Sequence, residues 1–320
     1  MLVACGGARV EHPVSPTWTA LESGTTESLR GLGIGRDGSV WASGAHGAVV
    51  RSLDGASFEP LVVPDASTLD FRSLHALDAD RAVVLSAGSP ARAFLTGDGG
   101  AHWQETFTRQ GEGVFYDSLA LDGSEGVAIG DPIEGRFALL LTHDGGASWE
   151  DATGPAANEG EAAFAASNGC LARAGSHWLF ASSGRVFRSH GTDWSSASVP
   201  IASSTSAGIF AIAFRDPSIG FVVGGDYEAA TAPGAFARTS DGGRSWQAGT
   251  SLRGYRSSIA VTPSALIVVG TSGSDVSYDD GASWSALDDA AMNTVRVSGD
   301  VAFSVGPNGT IARLVLPSQG

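Results

Sequence analysis

The chain has 320 residues and a formal net charge of −15 at pH 7, and all 19 of its basic residues are arginine. This acidic balance argues against nucleic-acid binding, because neutralising phosphates is the sequence-independent part of such binding. The lack of lysine excludes a P-loop, a pyridoxal Schiff base and a lysine general base, and no apolar run reaches the roughly 18 residues of a membrane span.

The first segment, residues 1–16, contains the run Leu2-Val3-Ala4-Cys5, which resembles the lipobox of bacterial lipoproteins. The charged and apolar parts of a signal peptide would have to lie upstream of the printed sequence. We expect Cys5 to carry a lipid after signal cleavage, with the following residues as a short tether to an extracytoplasmic protein, lipid-anchored or periplasmic in a bacterium. In the alternative, the resemblance is accidental and the protein is cytoplasmic.

A short polar run that ends in an aromatic residue recurs along the chain. Its clearest copy spans residues 141–149 and contains Asp144-Gly145-Gly146. The separations between closing aromatics are 45, 46, 45, 52 and 38 residues, and periods in this range predict a propeller or a solenoid. The closing aromatics are Phe58, Trp103, Trp149, Trp194, Trp246 and Trp284.

The residue types in this run predict a turn. An aspartate carboxylate can accept hydrogen bonds from the backbone of its own turn, and glycine takes a positive φ without a Cβ clash. The Ser or Thr before the turn and the aromatic after it then belong to the two strands that the turn joins. Each copy is therefore predicted to be a β-hairpin corner, with its aromatic side chain buried between neighbouring sheets.

Short apolar runs bounded by Gly or Asp predict four strands in each repeat, and no stretch shows helical periodicity. We therefore expect an all-β protein. The strands predicted before and within the first two repeats are 29–34, 39–43, 48–52, 71–77, 82–86, 92–96 and 102–107.

The two ends of the chain are predicted to complete one blade together. The residues around Trp18 resemble those around Trp284, whereas 302–305 and 310–314 supply inner strands without an outer one. Joining the ends removes the exposed sheet edges of an open array. The fold expected for residues 17–320 is a single seven-bladed β-propeller of four-stranded antiparallel blades.

Two family resemblances rest on these repeats. The turn matches the Asp-box of sialidases and of several other propellers, in which the box is structural and lies away from the binding face. An Arg-Ser or Arg-Thr pair leads into it at Arg51, Arg188 and Arg238, and this order resembles the photosystem II assembly and stability factor propellers. That resemblance implies a seven-bladed, non-catalytic propeller that binds a partner chain with arginines on one face.

Propellers bind ligands where the innermost strands begin, so equivalent positions there converge. Five of the seven blades place a polar residue at the start of the innermost strand. The other two blades place Ala163 or Phe164, and Phe210 or Ala211, at that position. Converging arginines fit an anionic group, because the guanidinium fork pairs with carboxylate or phosphate. We expect a monomer that binds a protein or peptide carrying such a group, with no nucleic acid, cofactor or metal. The predicted binding residues are Arg30, Arg72, Asp117, Arg256 and Asn293.

Two points stay open at this stage. The arginines could instead pair with Asp117 and with backbone carbonyls and only line the channel. The charged loop 130–136 could overhang the funnel, which is the mouth of the central channel where the innermost strands begin, and contribute to binding. Alternatively, it could simply be solvated. Cys170 is expected to be a buried, small apolar residue without a disulfide partner.

The alternative function is a sialidase-like glycoside hydrolase, in which three arginines would hold the substrate carboxylate. Such an enzyme also needs a tyrosine nucleophile with a glutamate partner and an aspartate acid/base. Tyr116 and Tyr255 are the tyrosines near the proposed register, and no glutamate can be assigned as a partner. The segment 214–217 has a faint similarity to the arginine-bearing motif of those enzymes, but it lies in a late repeat.

Overall fold

The structure, a computed structural model, describes residues 16–317. These residues form 28 β-strands in seven four-stranded sheets, together with one short 3-10 turn at Ala45–Gly47. Within this range no helix is long and apolar enough to cross a membrane. The predicted lipidation residue, Cys5, lies outside the described residues.

The first strand, β1 (Thr19–Leu21), belongs to the last blade. Blades 1 to 3 then take four consecutive strands each, from the channel outwards. Their strands are β2 (Leu29–Ile34), β3 (Val40–Gly44), β4 (Val49–Ser52) and β5 (Glu59–Leu61); β6 (Asp70–Ala76), β7 (Ala82–Ala87), β8 (Ala91–Thr96) and β9 (Gln104–Arg109); and β10 (Tyr116–Asp122), β11 (Glu125–Ile133), β12 (Arg136–Thr142) and β13 (Glu150–Ala152).

Blades 4 to 6 follow the same order, and blade 7 contributes three strands from the end of the chain. Their strands are β14 (Leu171–Ala174), β15 (His177–Ala181), β16 (Arg185–His190) and β17 (Asp193–Ser198); β18 (Ala207–Phe214), β19 (Gly220–Asp226), β20 (Ala235–Thr239) and β21 (Gln247–Ala248); β22 (Ser258–Val261), β23 (Leu266–Gly270), β24 (Gly273–Ser277) and β25 (Ser285–Asp288); and β26 (Thr294–Ser298), β27 (Val301–Val305) and β28 (Ile311–Val315).

The ring closes as the sequence predicts. Strand β1 pairs antiparallel with β28, with Thr19 opposite Arg313 and Leu21 opposite Ile311, and so becomes the outer strand of blade 7. The indole N–H of Trp18 donates to the Ser274 hydroxyl at 3.0 Å, which ties the closing strand to blade 6. The first and last strands of the chain therefore complete a single sheet, and the predicted fold class is confirmed.

The core consists of seven apolar layers, one between each pair of neighbouring blades. The middle strands supply most of it, and every residue of β3 and β23 is buried. Fully burying a large apolar side chain is worth about 1.5–3 kcal/mol. Each blade therefore depends on its two neighbours for stability, which favours a closed ring over an open array.

The aromatic residue that closes each repeat joins the layer between its own blade and the preceding one. Trp149 of blade 3, for example, packs into the layer shared with blade 2. Trp18 does the same in the layer between blades 6 and 7, so its predicted equivalence to the other closing aromatics is confirmed. The remaining members of the set are Phe58, Trp103, Trp194, Trp246 and Trp284.

The Asp-Gly-Gly turns hold these hairpins by side-chain to backbone hydrogen bonds. The Asp144 carboxylate accepts from the Thr142 hydroxyl at 2.8 Å and from the Ser148 N–H at 2.9 Å. Gly146 has φ +91°, and a Cβ on it would lie 2.7 Å from a methyl of Val83 in the preceding blade. Glycine is therefore required there both for the backbone conformation and for the close approach of two blades.

Candidate functional site

The propeller has two distinct faces. The turns after the first and third strands of a blade meet on one of them, where the Gly99 N–H donates to the Asp80 carbonyl at 2.8 Å; we call this the turn face. The innermost strands begin on the opposite side, where the Gly47 N–H donates to the Leu69 carbonyl at 2.8 Å; we call this the funnel face. All five predicted binding residues lie toward the funnel face, because they stand at or just before the start of an innermost strand.

The central channel between the two faces is blocked by residues 166–169 of blade 4, which we call the plug. The Asn168 amide donates to the Leu74 carbonyl at 2.7 Å, and its oxygen accepts from the Ser118 hydroxyl at 2.9 Å. The plug bonds to all six other blades, and it therefore crosses the channel between the two faces. Its other partners are Arg30, Leu119, Ile212, Ser257 and Arg296.

The plug also corrects the register assigned to blade 4. Ala163 and Phe164 were assigned to the start of its innermost strand, but β14 does not begin until Leu171. The chain between Ala163 and β14 crosses the channel instead of running along its wall. The assignment was wrong because the repeat period does not reveal where a strand starts inside each repeat.

Arg30 is the half-buried guanidinium of the funnel face. Its Nη1 donates to the Ala166 carbonyl of the plug at 3.0 Å, and it forms no salt bridge with any carboxylate of residues 16–317. Burial lowers its pKa, and the nearby positive charge of Arg72 lowers it further. A guanidinium without a carboxylate partner retains the capacity to pair with an anion.

Arg72 stands beside Arg30 on the next blade. Its Nε donates to the Asp70 carboxylate at 2.7 Å, and the guanidinium lies 5.8 Å from the ring centre of Phe115. Both charged side chains are about one-third exposed. The Asp70 contact is a partly exposed ion pair of small net energy, so the Arg72 guanidinium can also contact a ligand.

Asp117 is fully buried, and neither carboxylate oxygen has a hydrogen-bond partner among the described residues. Burial raises its pKa well above the ordinary value, and the nearby Asp131 carboxylate raises it further. Asp131 accepts from the Ala163 N–H at 3.1 Å, and burial raises its pKa as well. The charge of Arg72 opposes this pKa shift, but no arginine of residues 16–317 forms an ion pair with Asp117, so the alternative in which Asp117 pairs with the arginines is not seen there.

Arg256 and Asn293 are buried in the wall rather than presented to the funnel. The Arg256 Nε donates to the Asp275 carboxylate at 2.8 Å, and its Nη1 donates to the Ser272 hydroxyl at 2.8 Å. The Asn293 amide donates to the Leu29 carbonyl at 2.8 Å. Of the five predicted residues, Arg30 and Arg72 are therefore accessible from the funnel. The other three, Asp117, Arg256 and Asn293, are buried in the channel wall.

The apolar side of the funnel is an aromatic cluster. Phe164 and Phe210 stack with ring centres 4.0 Å apart, and Tyr255 meets Phe210 edge-on at 4.7 Å. Tyr227, which is 49% exposed, lies edge-on to Phe210 at 6.2 Å. The sequence predicts Phe210 here but not Tyr227, although the position of Tyr227 in the connection between the second and third strands of blade 5 is a signal for this face.

The segment 130–136, which the sequence predicts to be a charged loop, is instead the tip of a hairpin on the funnel face, because residues 130–133 belong to β11 and Arg136 begins β12. Its Asp131 points inward toward Asp117, whereas Glu134 at the tip is exposed. The Arg136 Nη1 donates to the Gly154 carbonyl at 3.0 Å. This segment thus contributes both a partly buried carboxyl group and an exposed tip.

The tyrosine required by the hydrolase alternative is not available at Tyr116. Its hydroxyl accepts from Arg109 at 2.8 Å, and its ring packs edge-on against Phe107 of the outer strand of blade 2. Burial raises the pKa of Tyr116 to about 12, although Arg109 opposes that change. The ring therefore lies between blades and not in the funnel.

Cys170 is also buried, and it is a free thiol in the described part of the chain.

The fold and these two faces define the class of the protein as a seven-bladed β-propeller. No protein-family model and no curated protein sequence matches the chain. Solved structures that resemble it include YCF48 from Cyanidioschyzon merolae, which is 16% identical with a TM-score of 0.68 and covers 95% of this chain and 100% of that one.

Two further solved structures show how widely this fold is used. One is YCF48 bound to D1 peptide, 18% identical with a TM-score of 0.65, covering 95% of this chain and 100% of that one. The other is virginiamycin B lyase from Staphylococcus aureus, 11% identical with a TM-score of 0.67, covering 94% of this chain and 100% of that one. At these identities the likeness shows the fold alone, so function has to be argued from the site.

Proposed function

We propose that this protein is a non-catalytic propeller that binds a protein or peptide partner at its funnel face through an anionic group of the partner. One observation carries the proposal. Arg30 presents a half-buried guanidinium that has no carboxylate partner among residues 16–317, and it lies close to Arg72. An anion that enters the funnel would meet both groups at once.

The two sides of the funnel suit different parts of one ligand. Arginine pairs with a carboxylate by parallel N–H donors, and this pairing is stronger where water is excluded. The cluster of Phe164, Phe210, Tyr227 and Tyr255 offers aromatic surface for an apolar side chain. The plug closes the channel below with hydrogen bonds to every other blade, so the ligand would meet a rigid floor.

The solved structure of YCF48 bound to D1 peptide supports a peptide as the ligand class, because it shows a propeller of this shape with a bound peptide. The partner of the present chain would be recognised by its carboxylate and an adjacent apolar residue. As in the assembly factors that the sequence resembles, we propose a monomeric assembly or scaffold role.

We also propose that this role is performed at the cell envelope, on the basis of the lipobox-like run that includes Ala4 and Cys5. Expression of the natural gene with its upstream region, followed by membrane fractionation, tests this location. The protein should fractionate with membranes and lose that association in Cys5→Ser. Equal distribution of the two proteins would contradict the anchor.

Peptide binding can be tested with arrays of short peptides that end in a free carboxylate, each paired with its C-terminally amidated form. We expect the wild-type protein to prefer free carboxylates, and Arg30→Met and Arg72→Met each to weaken binding at least tenfold, which corresponds to about 1.4 kcal/mol. Arg313→Met is the matched control, because Arg313 is an exposed arginine of the outer half of blade 7.

Two outcomes would contradict the proposal. Unchanged peptide affinity in both funnel variants would show that these arginines only line the channel and do not bind the peptide. Turnover of a sialic acid glycoside by the same preparations, abolished in Arg30→Met and Arg72→Met, would favour the hydrolase instead.

A further inference from the structure

The plug leaves a cavity on the turn face, on the opposite side of the channel from the funnel. Its volume is about 370 Å³, which is within the range of sites for small molecules. Asn168 and Gly169 of the plug form its inner end. Its wall consists of the last residues of the innermost strands, so residues from several blades converge on it.

Arg296 of β26 is the only residue of this wall that brings a positive charge without a carboxylate partner among the described residues. It donates to its own neighbouring carbonyl, that of Val295, at 2.9 Å, and to the Asn168 carbonyl of the plug. The remaining N–H groups have no acceptor within residues 16–317. Burial lowers the pKa of Arg296 to about 10, so it remains charged at neutral pH.

The other two basic side chains of the wall, His75 and Arg173, add no unpaired positive charge. His75 accepts from the Leu121 N–H at Nδ1, at 3.3 Å, which requires a neutral ring with its proton on Nε2. Burial lowers the pKa of His75 to about 4, and the positive charges of Arg296 and Arg36 lower it further. Arg173 is neutralised by Asp122 at 2.9 Å. The cavity therefore has one uncompensated positive charge.

The rest of the wall is largely apolar. Ile34, Phe214, Val261 and Val297 line the cavity, and all four side chains are only partly buried. A partly buried charge without a counter-ion is unfavourable, and an anion that fits the space lowers that cost. One positive charge matches a singly charged group, whereas the apolar wall matches a hydrocarbon body.

We propose that this cavity binds a small organic carboxylate with an apolar body, whose carboxylate accepts hydrogen bonds from Arg296 and whose body contacts the apolar wall. The site is distinct from the funnel, since the plug separates the two. It would be a small-molecule site in a protein whose other face binds a macromolecular partner. Occupation of the cavity would add an acceptor for Arg296, which also holds the plug.

Isothermal titration calorimetry with three simple carboxylates tests the site: acetate, hexanoate and benzoate, with benzamide as the neutral isostere of benzoate. We expect benzoate or hexanoate to bind at least tenfold more tightly than acetate, because acetate lacks the apolar body. We also expect benzoate to bind at least tenfold more tightly than benzamide, because benzamide lacks the charge.

Arg296→Gln removes the charge but retains a donor for the Asn168 carbonyl, so it should abolish the preference for benzoate over benzamide. Arg30→Gln is the matched control on the funnel face, and it should leave the benzoate binding that depends on Arg296 unchanged while weakening peptide binding. The two variants thereby distinguish failure of this proposal from failure of the proposed function.

A second variant keeps the test decisive if Arg296→Gln does not fold. Ala172→Trp places a large side chain in the cavity wall and should abolish carboxylate binding while Arg296 stays in place. The proposal is overturned if none of the three carboxylates binds, if benzamide binds as tightly as benzoate, or if benzoate affinity survives in Ala172→Trp.

Discussion

In the outer ring of the propeller, the same contacts are repeated from blade to blade. Asp98, Asp144, Asp241 and Asp279 each accept from the Ser or Thr two residues earlier and from a backbone N–H four residues later. The centre of the channel is built without repetition. There one segment of blade 4, residues 166–169, bonds to all six other blades.

This difference indicates where substitutions reduce the stability of the ring most. The loss of one outer turn weakens one layer between two blades, because each closing aromatic packs in a single layer. The loss of one central contact affects groups from several blades at once, because no second copy can replace it. Variants at the centre should therefore be more destabilising than variants in the turns.

The largest effect is expected for Arg256→Met, at the start of an innermost strand. Arg256 is fully buried and holds the buried Asp275, whose remaining cationic partner is Arg253. Removing one member of a buried pair costs about 3–5 kcal/mol, and we expect the lower end because Arg253 remains. Urea unfolding measures this change.

Arg313→Met is the control for that substitution, since Arg313 is exposed and should change the free energy of unfolding by less than about 0.5 kcal/mol. The double variant Arg256→Met/Asp275→Leu should recover part of the loss. A loss below about 1 kcal/mol in Arg256→Met would show that the buried pair does not stabilise the channel wall.

The next effect is expected for Asn168→Ala, in the plug itself. This change leaves the Leu74 carbonyl, the Ser118 hydroxyl and the Leu119 N–H without their partner in a buried place. We expect a loss of about 2–3 kcal/mol, measured by urea unfolding. Asn158→Ala, in the exposed part of the same connection, is the matched control. Equal stability of the two variants would mean that the plug does not tie the blades together.

The smallest effect belongs to the outer ring and depends on pH. Hydrogen bonds from the Ser283 hydroxyl and N–H and from the Ser277 hydroxyl lower the pKa of Asp279 to about 2. Because its pKa is lower in the folded than in the unfolded chain, Asp279 stabilises the fold above the unfolded pKa, about 3.9. That contribution is lost as the pH falls through about 2.

The melting temperature of the wild type should therefore decrease between about pH 5 and pH 2 more steeply than that of Asp279→Asn, which lacks this titration. The variant should also melt slightly lower than the wild type at pH 7. Thermal melts followed by circular dichroism across this range provide the measurement. Parallel curves for the two proteins would count against a stabilising role of the carboxylate.

The repetitive half of the molecule could be predicted because its signals are local. A turn needs aspartate and glycine at fixed offsets, and its closing aromatic always packs against the preceding blade, so Trp18 could be assigned to the closing strand from the sequence alone. The candidate site could be predicted in part. Aligning the predicted strand starts placed Arg30, Arg72 and Phe210 correctly on one face. The same alignment also added Arg256, which is buried against Asp275.

The sequence by itself therefore determined the all-β class, the seven blades and the closure of the ring, because each depends on residue types repeated at a fixed spacing. Only the tertiary structure decided what fills the channel and which arginines remain free. Asn168 and Arg296 are 128 residues apart and meet only because the ring closes. Whether an arginine is paired depends on which carboxylate another blade brings within reach, and a repeat period does not carry that information.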